Sequence, residues 1–160
     1  MHAHRCVLLA SVSTLMHSSL AIDGMLTGSI DISKATKLKD VAFVSNLDPK
    51  WIASALRTVT ADDRDLQQVS VYTTDGLRNM DNDPSNQETA RAEWLELDSV
   101  FIKIWESHSV RPKVRYYLPS SMDGEMARRS MEGLFPETTK RRVVDFSVGG
   151  YFWQTGGRYL

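Results

Sequence analysis

The sequence has 160 residues, of which 42% are hydrophobic and 24% are charged, and its formal net charge is −1. This composition predicts one folded domain and excludes global disorder, which requires less apolar content or a larger net charge. No run of about 18 apolar residues is present to span a membrane, and a single cysteine excludes an internal disulfide framework. The basic residues are too dispersed for a nucleic-acid footprint, so we expect no nucleic-acid partner.

Residues 1–29 form an N-terminal segment that has two interpretations. Basic residues up to Arg5 precede the apolar residues 6–12, and small residues at 19–21 offer a cleavage site, an outline typical of a weak secretory signal. Alternatively, residues 6–9 form a buried strand from a preceding repeat turn. The second interpretation implies a cytoplasmic or nuclear protein, which we prefer, and the first implies a secreted one.

The next elements in the chain are a strand, a helix and a second strand. Residues 37–44 are predicted to form a short strand, because apolar positions recur there after a polar lead-in. Asp48 and Pro49 then begin a helix, since aspartate caps free backbone N–H groups and proline suits the first helical position. Apolar residues continue at helical spacing as far as Val59, and residues 66–72 form the second strand.

Residues 73–86 form a long polar loop that is rich in Asp, Asn, Gly and Pro. Ser85 and Glu88 then have the spacing of a capping box, in which the Ser85 side chain bonds the backbone N–H three residues on and the Glu88 side chain reaches back to the backbone N–H of Ser85. The helix that follows ends near His108. Its apolar stripe consists of Trp94, Leu97, Phe101, Ile104 and Trp105.

The C-terminal part of the domain contains two more strands and a weaker helix. Residues 112–118 alternate as a third strand, and residues 122–134 form a helix that Pro136 terminates. Residues 142–148 supply a fourth strand. Residues 149–160 form an aromatic, glycine-rich tail without a clear period.

Strands and helices thus alternate along residues 30–148, which predicts a parallel sheet with crossover helices. An open doubly wound sheet and a repeat solenoid both satisfy this order. A 28-residue repeat favours the solenoid, because two turns have the pattern of a leucine-rich repeat. These turns are Leu38, Val41, Phe43 and Asn46, and Leu66, Val69, Val71 and Thr74. We therefore predict an α/β fold, a short leucine-rich-repeat-like parallel sheet with crossover helices.

The later strands depart from this pattern. In a third turn, Val114 and Tyr116 occupy the strand positions, but Arg111 stands where the leading leucine is expected. In a fourth turn, around Phe146, Arg141 stands at the leading position. The repeat therefore decays after the long polar loop.

Three stretches carry a resemblance to known proteins: Thr-Lys-Leu-Lys-Asp-Val at residues 36–41, Trp-Ile-x-x-Ala-Leu-x-Thr-Val at residues 51–59, and Trp-Glu-Ser-His-Ser-Val-Arg-Pro-Lys-Val at residues 105–114. The sequence resembles a group of functionally uncharacterised fungal proteins over about residues 30–118. These look like degenerate leucine-rich-repeat proteins, and some carry an F-box upstream. The resemblance implies a protein-interaction fold without known catalytic residues. No F-box is evident in this sequence, so the resemblance does not extend to a ubiquitin-ligase adaptor role.

No catalytic or metal-binding constellation stands out, so we predict a protein that is not an enzyme and has no cofactor or metal. His2, His4 and Cys6 lack a fourth metal ligand. The acidic residues within 75–83 lack the glycine of a calcium-binding loop. The acidic residues of the long helix are expected on its solvated flank; they are Glu93, Glu96 and Asp98.

The predicted function is a protein–protein interaction module that binds a partner of unknown identity through the strand face of the sheet. The residues predicted to contribute to this surface are Lys39, Asp40, Ala42, Gln67, Gln68, Ser70, Arg115 and Tyr117. The alternative is a small secreted effector-like or hydrolase-related protein, which depends on cleavage of the N-terminal segment.

Overall fold

A computed structural model describes residues 19–23, 32, 38–44, 48–59, 65–73, 84–117 and 123–149 of the chain. The strands within these ranges are β1 (Ser19–Asp23), β2 (Asp40–Val44), β3 (Gln68–Thr73), β4 (Lys113–Tyr117) and β5 (Asp145–Gly149). The helices are α1 (Pro49–Leu56), α2 (Pro84–His108), α3 (Gly124–Leu134) and α4 (Pro136–Arg141).

The described strands form one parallel sheet, and their order in space is their order in the chain, β1-β2-β3-β4-β5. A doubly wound sheet reverses the direction in which strands are added, and this sheet does not. Right-handed crossovers that always step the same way place their helices on one face. In agreement, α1 contacts α2, and α2 contacts α3 and α4. The prediction of a repeat-like α/β sheet with crossover helices is confirmed.

The 28-residue repeat sets the register between β2 and β3. Val41 lies opposite Val69 and Phe43 lies opposite Val71, which are the pairs that the repeat predicts. All four side chains are at most 1% exposed, so the apolar strand positions of both turns point into the core. The polar residue predicted at the last position of each turn, at 46 and 74, lies outside the described residues.

The leading leucines of these two turns lie just before their strands. Leu38 is 5% exposed and Leu66 is 4% exposed, so both are core residues as predicted. The two lead-ins are also hydrogen-bonded to each other, because the backbone N–H groups of Gln67 and Gln68 donate to the carbonyl oxygen of Lys39 at 2.7 and 3.0 Å. Pairing of the turns therefore begins before the strands do.

Strand β4 does not have the register that the sequence predicts for a third turn. The prediction aligned Val114 with Val69, whereas Val114 lies opposite Val71 and Tyr116 lies opposite Thr73. The predicted register was wrong by two residues. A slip of two residues keeps every side chain on its original face of the sheet, so alternation in the sequence does not distinguish the two registers.

Strand β5 keeps its predicted alignment with the first two turns, because Phe146 lies in the row of Phe43 and Val71. Its neighbour on β4 in that row is Val114 rather than the predicted Tyr116. Val110 and Val143 are buried just before β4 and β5. These turns therefore bury a valine in the lead-in, where the first two turns bury a leucine.

Strand β1 lies within the N-terminal segment 1–29. It pairs in parallel with β2, from Ser19 opposite Asp40 onward. The strand considered at residues 6–9 lies outside the described residues. Residues 19–21, which the signal interpretation places at a cleavage site, are the first three residues of β1. Cleavage after Ala21 would therefore divide this strand.

Helix α1 begins as the sequence predicts. The carboxylate of Asp48 accepts a hydrogen bond of 2.8 Å from the backbone N–H of Lys50, and Pro49 is the first helical residue. Trp51 lies beside this face and makes an edge contact with Phe43, with ring centroids 6.2 Å apart. The residues that the helix buries are Ile52, Ala53, Ala55 and Leu56.

An aromatic cluster joins α2, the corner between α3 and α4, and β5. Phe135 lies at its centre and is fully buried. Its ring is 5.4 Å from Trp94, 5.5 Å from Phe101 and 5.5 Å from Phe146, measured between centroids. The predicted stripe of α2 is confirmed, since its members are buried or half-buried: Trp94, Leu97, Phe101, Ile104 and Trp105.

The helical region after β4 is longer than the sequence predicts. The carboxylate of Asp123 caps α3 by accepting hydrogen bonds from the backbone N–H groups of Glu125 and Met126 at 2.9 and 3.0 Å. Helix α3 ends at Leu134, as the sequence predicts, but Pro136 then begins a further helix, α4. Proline fits that position, since the first backbone N–H groups of a helix have no partner within it.

The expectation that the acidic residues of α2 lie on its solvated flank is wrong for Asp98. Its side chain is 2% exposed. The carboxylate accepts hydrogen bonds from the backbone N–H groups of Glu137 and Thr138, at 2.9 and 3.0 Å, and from the Thr138 hydroxyl at 2.6 Å. Asp98 therefore caps α4 from another helix. Because α4 was not predicted, its cap was not predictable either.

Three predicted boundaries move by a few residues. Thr73 is the last residue of β3 and Pro84 the first of α2, so both ends of the predicted loop 73–86 belong to regular elements. Gly149 belongs to β5 rather than to the tail. The capping box at residues 85–88 stays a prediction, because the Ser85 side chain lies outside the description.

Candidate functional site

The strand residues that alternate with the core residues form the second surface of the sheet, which we call the open face because it does not contribute to the core cluster. Ser70, Tyr117 and Gly149 on this surface are nevertheless buried. The core cluster takes its strand residues from one side only, at Val41, Phe43, Val69, Val71, Val114 and Tyr116. The open face carries the intervening residues Asp40, Ala42, Gln68, Ser70, Tyr72, Lys113, Arg115, Tyr117, Asp145, Ser147 and Gly149. The register places them in rows that cross β2 to β5.

Six of the eight residues predicted for a binding surface lie on the open face: Asp40, Ala42, Gln68, Ser70, Arg115 and Tyr117. Asp40 lies opposite Gln68, and Ala42 lies opposite Ser70. Lys39 and Gln67 do not lie on this face. They precede β2 and β3 and are exposed at the amino edge of the sheet.

The predicted binding surface omits several residues of the same face. Lys113 and Asp145 are opposite each other in the row of Ala42 and Ser70, and Ser147 lies opposite Arg115. The signal that finds them is alternation, because each of them stands two residues from another open-face residue. Tyr72 was also missed and is two residues from Ser70.

The amino half of the open face contains a chain of polar contacts, which we call the polar row. The ammonium group of Lys113 donates to the amide oxygen of Gln68 at 2.8 Å, and the Gln68 amide donates to the Ser70 hydroxyl at 3.1 Å. On the other side of Lys113, Arg111 contacts the carboxylate of Asp145 at 3.4 Å. These contacts orient side chains from three neighbouring strands.

The carboxyl half of the open face contains two tyrosines and an arginine, which we call the tyrosine–arginine cluster. The rings of Tyr72 and Tyr117 stack with centroids 6.4 Å apart and planes inclined by 23°. The guanidinium of Arg115 lies 5.5 Å from the centre of the Tyr117 ring, within the range of a cation–π contact. A side chain at Gly149 would approach Arg115 Nε to 3.0 Å, so the glycine leaves room for the guanidinium.

Tyr117 is 8% exposed although it does not belong to the hydrophobic core cluster. Burial raises the pKa of its hydroxyl, the neighbouring Arg115 lowers it, and Tyr72 raises it further. Burial is the largest of these effects and the net direction is upward. The hydroxyl therefore stays protonated at neutral pH and can donate a hydrogen bond.

A shallow groove of about 410 Å³ lies between α3, α4 and β5. Its lining residues are Arg128, Glu132, Thr139, Arg142, Val144, Asp145 and Phe146. The charges in it are largely matched, because Arg128 pairs with Glu132 at 3.0 Å and Asp145 contacts Arg111. We therefore take the open face, rather than this groove, as the candidate binding surface.

The helix layer carries one carboxyl group with a displaced pKa. Burial raises the pKa of Glu93 above its ordinary value, and the nearby Asp48 carboxylate raises it further. Asp48 is the residue that caps α1. This group lies away from the open face, and its environment matters for stability rather than for a site.

Among the described residues, no group of three or more histidine, cysteine, aspartate and glutamate side chains is arranged to hold a metal ion. No described helix is long and apolar enough to cross a membrane. Comparison of the chain with models of known protein families, with curated proteins and with solved structures finds no match.

Proposed function

We propose that this chain is a non-enzymatic protein-interaction module that binds a protein partner through the open face. The observation that carries the proposal is the placement of the described helices against the other face. The strands of the open face instead present polar, aromatic and charged side chains in register. A parallel sheet with strands about 4.8 Å apart lets one partner contact several strands at once.

The composition of the open face supports this proposal. Tyrosine and arginine are enriched among the residues that contribute most to protein–protein binding. Tyr72 and Arg115 are half-buried and lie together here, and each of them contacts the ring of the buried Tyr117. Such pre-positioned side chains lose little conformational freedom on binding.

We also propose that the chain is related to degenerate leucine-rich-repeat proteins. The 28-residue register between β2 and β3 supports this relationship, as does the strand order. Repeat folds of this type bury each turn against its neighbours and offer an extended surface to partners.

Photocrosslinking tests the location of the binding surface. A benzophenone amino acid replaces Ser147, which is exposed on the open face, and in a matched variant it replaces Ser130, which is exposed on α3. We expect a discrete crosslinked protein from position 147 and none from position 130. The same products from both positions, or a product from position 130 alone, would contradict the proposal.

Affinity measurements with the captured partner then test individual side chains. Tyr72→Ala removes one ring of the stacked pair and should weaken binding about ten-fold, the effect expected for a central aromatic contact. Lys103→Ala changes an exposed residue of α2 and serves as the control. Equal affinities for the two variants would exclude the tyrosine–arginine cluster from the interface.

A further inference from the structure

Strand β4 and the segment leading into it carry three cationic side chains in a line on the open face, which we call the basic ladder: Arg111, Lys113 and Arg115. Lys113 and Arg115 alternate within β4, and Arg111 lies two residues before Lys113, the first residue of the strand. Arg111 reaches Asp145, which lies opposite Lys113, so it belongs to the same face. Alternate residues of an extended chain are about 7 Å apart, which gives the ladder a regular spacing.

The positive charge of the basic ladder is only partly neutralised by the described residues. Asp145 contacts Arg111 at 3.4 Å, while Lys113 donates to the neutral amide of Gln68. No carboxylate of a described residue forms an ion pair with Lys113 or Arg115. Among the described residues, β4 and Arg111 therefore carry more positive charge than the neighbouring Asp145 neutralises.

Arg115 is held ready to bind an anionic group. Its guanidinium lies over the Tyr117 ring on one side and beside Gly149 on the other. Its Nε is buried and has no hydrogen-bond acceptor. A buried N–H without an acceptor is energetically costly, and a guanidinium offers two parallel N–H groups to one carboxylate. Because Nε is shielded from solvent, a bound carboxylate has to displace the groups around it to reach that donor, and it would then satisfy it.

Building on the proposed binding role of the open face, we propose that the basic ladder selects an extended, acidic peptide segment of the partner. In an extended peptide, every second side chain points the same way at a spacing of about 7 Å, which matches the spacing of the ladder. One carboxylate binds the guanidinium of Arg115, and the carboxylate two residues away binds the ammonium group of Lys113. The recognised pattern is therefore acidic residues at alternating positions.

An acidic peptide fits this surface better than a nucleic acid does. Binding to a phosphate backbone requires a dense basic stripe and a clearly basic domain. The ladder has three cations, one of which already contacts a carboxylate, and the whole chain has a net charge of −1.

Fluorescence anisotropy with the full chain tests this inference. The probes are a labelled peptide of alternating Glu and Thr, the same peptide with Gln in place of Glu, and a labelled single-stranded oligonucleotide. At about 10 mM salt, where screening is weak, we expect the acidic peptide to bind most tightly. Arg115→Gln should weaken its binding about ten-fold or more, and Arg115→Lys should weaken it less because the charge remains.

Arg129→Gln is the matched control, because it removes one positive charge from the exposed surface of α3. Thermal melts of all variants establish that each is folded. Equal binding of the acidic and neutral peptides, an equal effect of Arg115→Gln and Arg129→Gln, or tighter binding of the oligonucleotide would each overturn the inference. A partner that crosslinks at position 147 but binds without regard to Arg115 would overturn it too, while leaving the proposed function intact.

Discussion

The two faces of the sheet are built from the same strands, yet they hold different residues. In β2, Val41 and Phe43 are buried toward the helices, while Asp40 and Ala42 point the other way and are half-buried. The difference shows which residues are constrained by folding. Packing explains the apolar rows of the covered face, but it does not explain the basic ladder of the open face. Substitutions on the covered face should therefore change stability, and those on the open face should change binding.

Leu66→Ala should give the largest loss of stability and provides the first test of this contrast. Leu66 is 4% exposed and belongs to the core cluster, so the change leaves a cavity and should lower the free energy of unfolding by roughly 2–5 kcal/mol. Gln67→Ala changes the adjacent, exposed residue and should cost less than about 0.5 kcal/mol. Chemical denaturation measures both. Similar losses for the two variants would show that the repeat positions do not determine the core.

Asp98→Ala should have the next largest effect. The carboxylate caps α4 with three hydrogen bonds, so its removal leaves buried donors without an acceptor and should cost about 1–3 kcal/mol. Glu96→Ala removes an ion pair with Arg57 from the partly exposed surface of the same helix and should cost less than about 1 kcal/mol. Denaturant unfolding of both variants tests this order, and an equal cost would contradict the structural role of the buried cap.

Much of the fold could be predicted because its signals are local. Apolar spacing and the Asp48 cap specify the first helix, and the 28-residue repeat specifies the pairing of Val41 with Val69. The register of β4 was not predictable in the same way. A slip of two residues leaves each side chain on the same face, so the alternation of apolar residues in β4 does not select its register.

The candidate site was predictable only in part, for a similar reason. The alternation of residues along β4 identified Arg115 and Tyr117 as residues of the open face. Their neighbours on this face come from β3 and β5, and the pairing of these strands is known only from the structure. The contact of Arg115 with Gly149 is an example, because the two residues are far apart in the sequence. The capping role of Asp98 was not predicted because the helix that it caps, α4, was not predicted. No apolar spacing in the sequence indicates α4.

Two glycine substitutions test the same difference between the two faces, and we expect them to change stability by smaller amounts. Gly133 lies in α3 with open space around the position of a side chain, so Gly133→Ala should raise stability by about 0.5–1 kcal/mol. Gly149→Ala should raise it less, because the new methyl group displaces the Arg115 side chain. Denaturant unfolding of both measures this difference. Gly149→Ala should also alter the affinity for the acidic peptide, whereas Gly133→Ala should not. An unchanged affinity for both would mean that Gly149 does not position Arg115.

Glu93→Gln should give the smallest effect and distinguishes charge from packing on the helix side. Burial and the Asp48 carboxylate raise the pKa of Glu93, so its ionised form is less favourable in the folded chain than in the unfolded chain. The stability of the native protein linked to this group is present below the unfolded pKa and is lost as the pH rises through the higher folded pKa. Glu93→Gln should therefore stabilise the chain at about pH 7. It should not do so at an acidic pH near 4.5, the ordinary pKa of a glutamate side chain. Thermal melts at the two pH values measure the difference, with Asp65→Asn, an exposed residue outside the helices, as a control for net charge. A gain that is equal at both pH values, or shared by the control, would assign the effect to something other than the contact between Glu93 and Asp48.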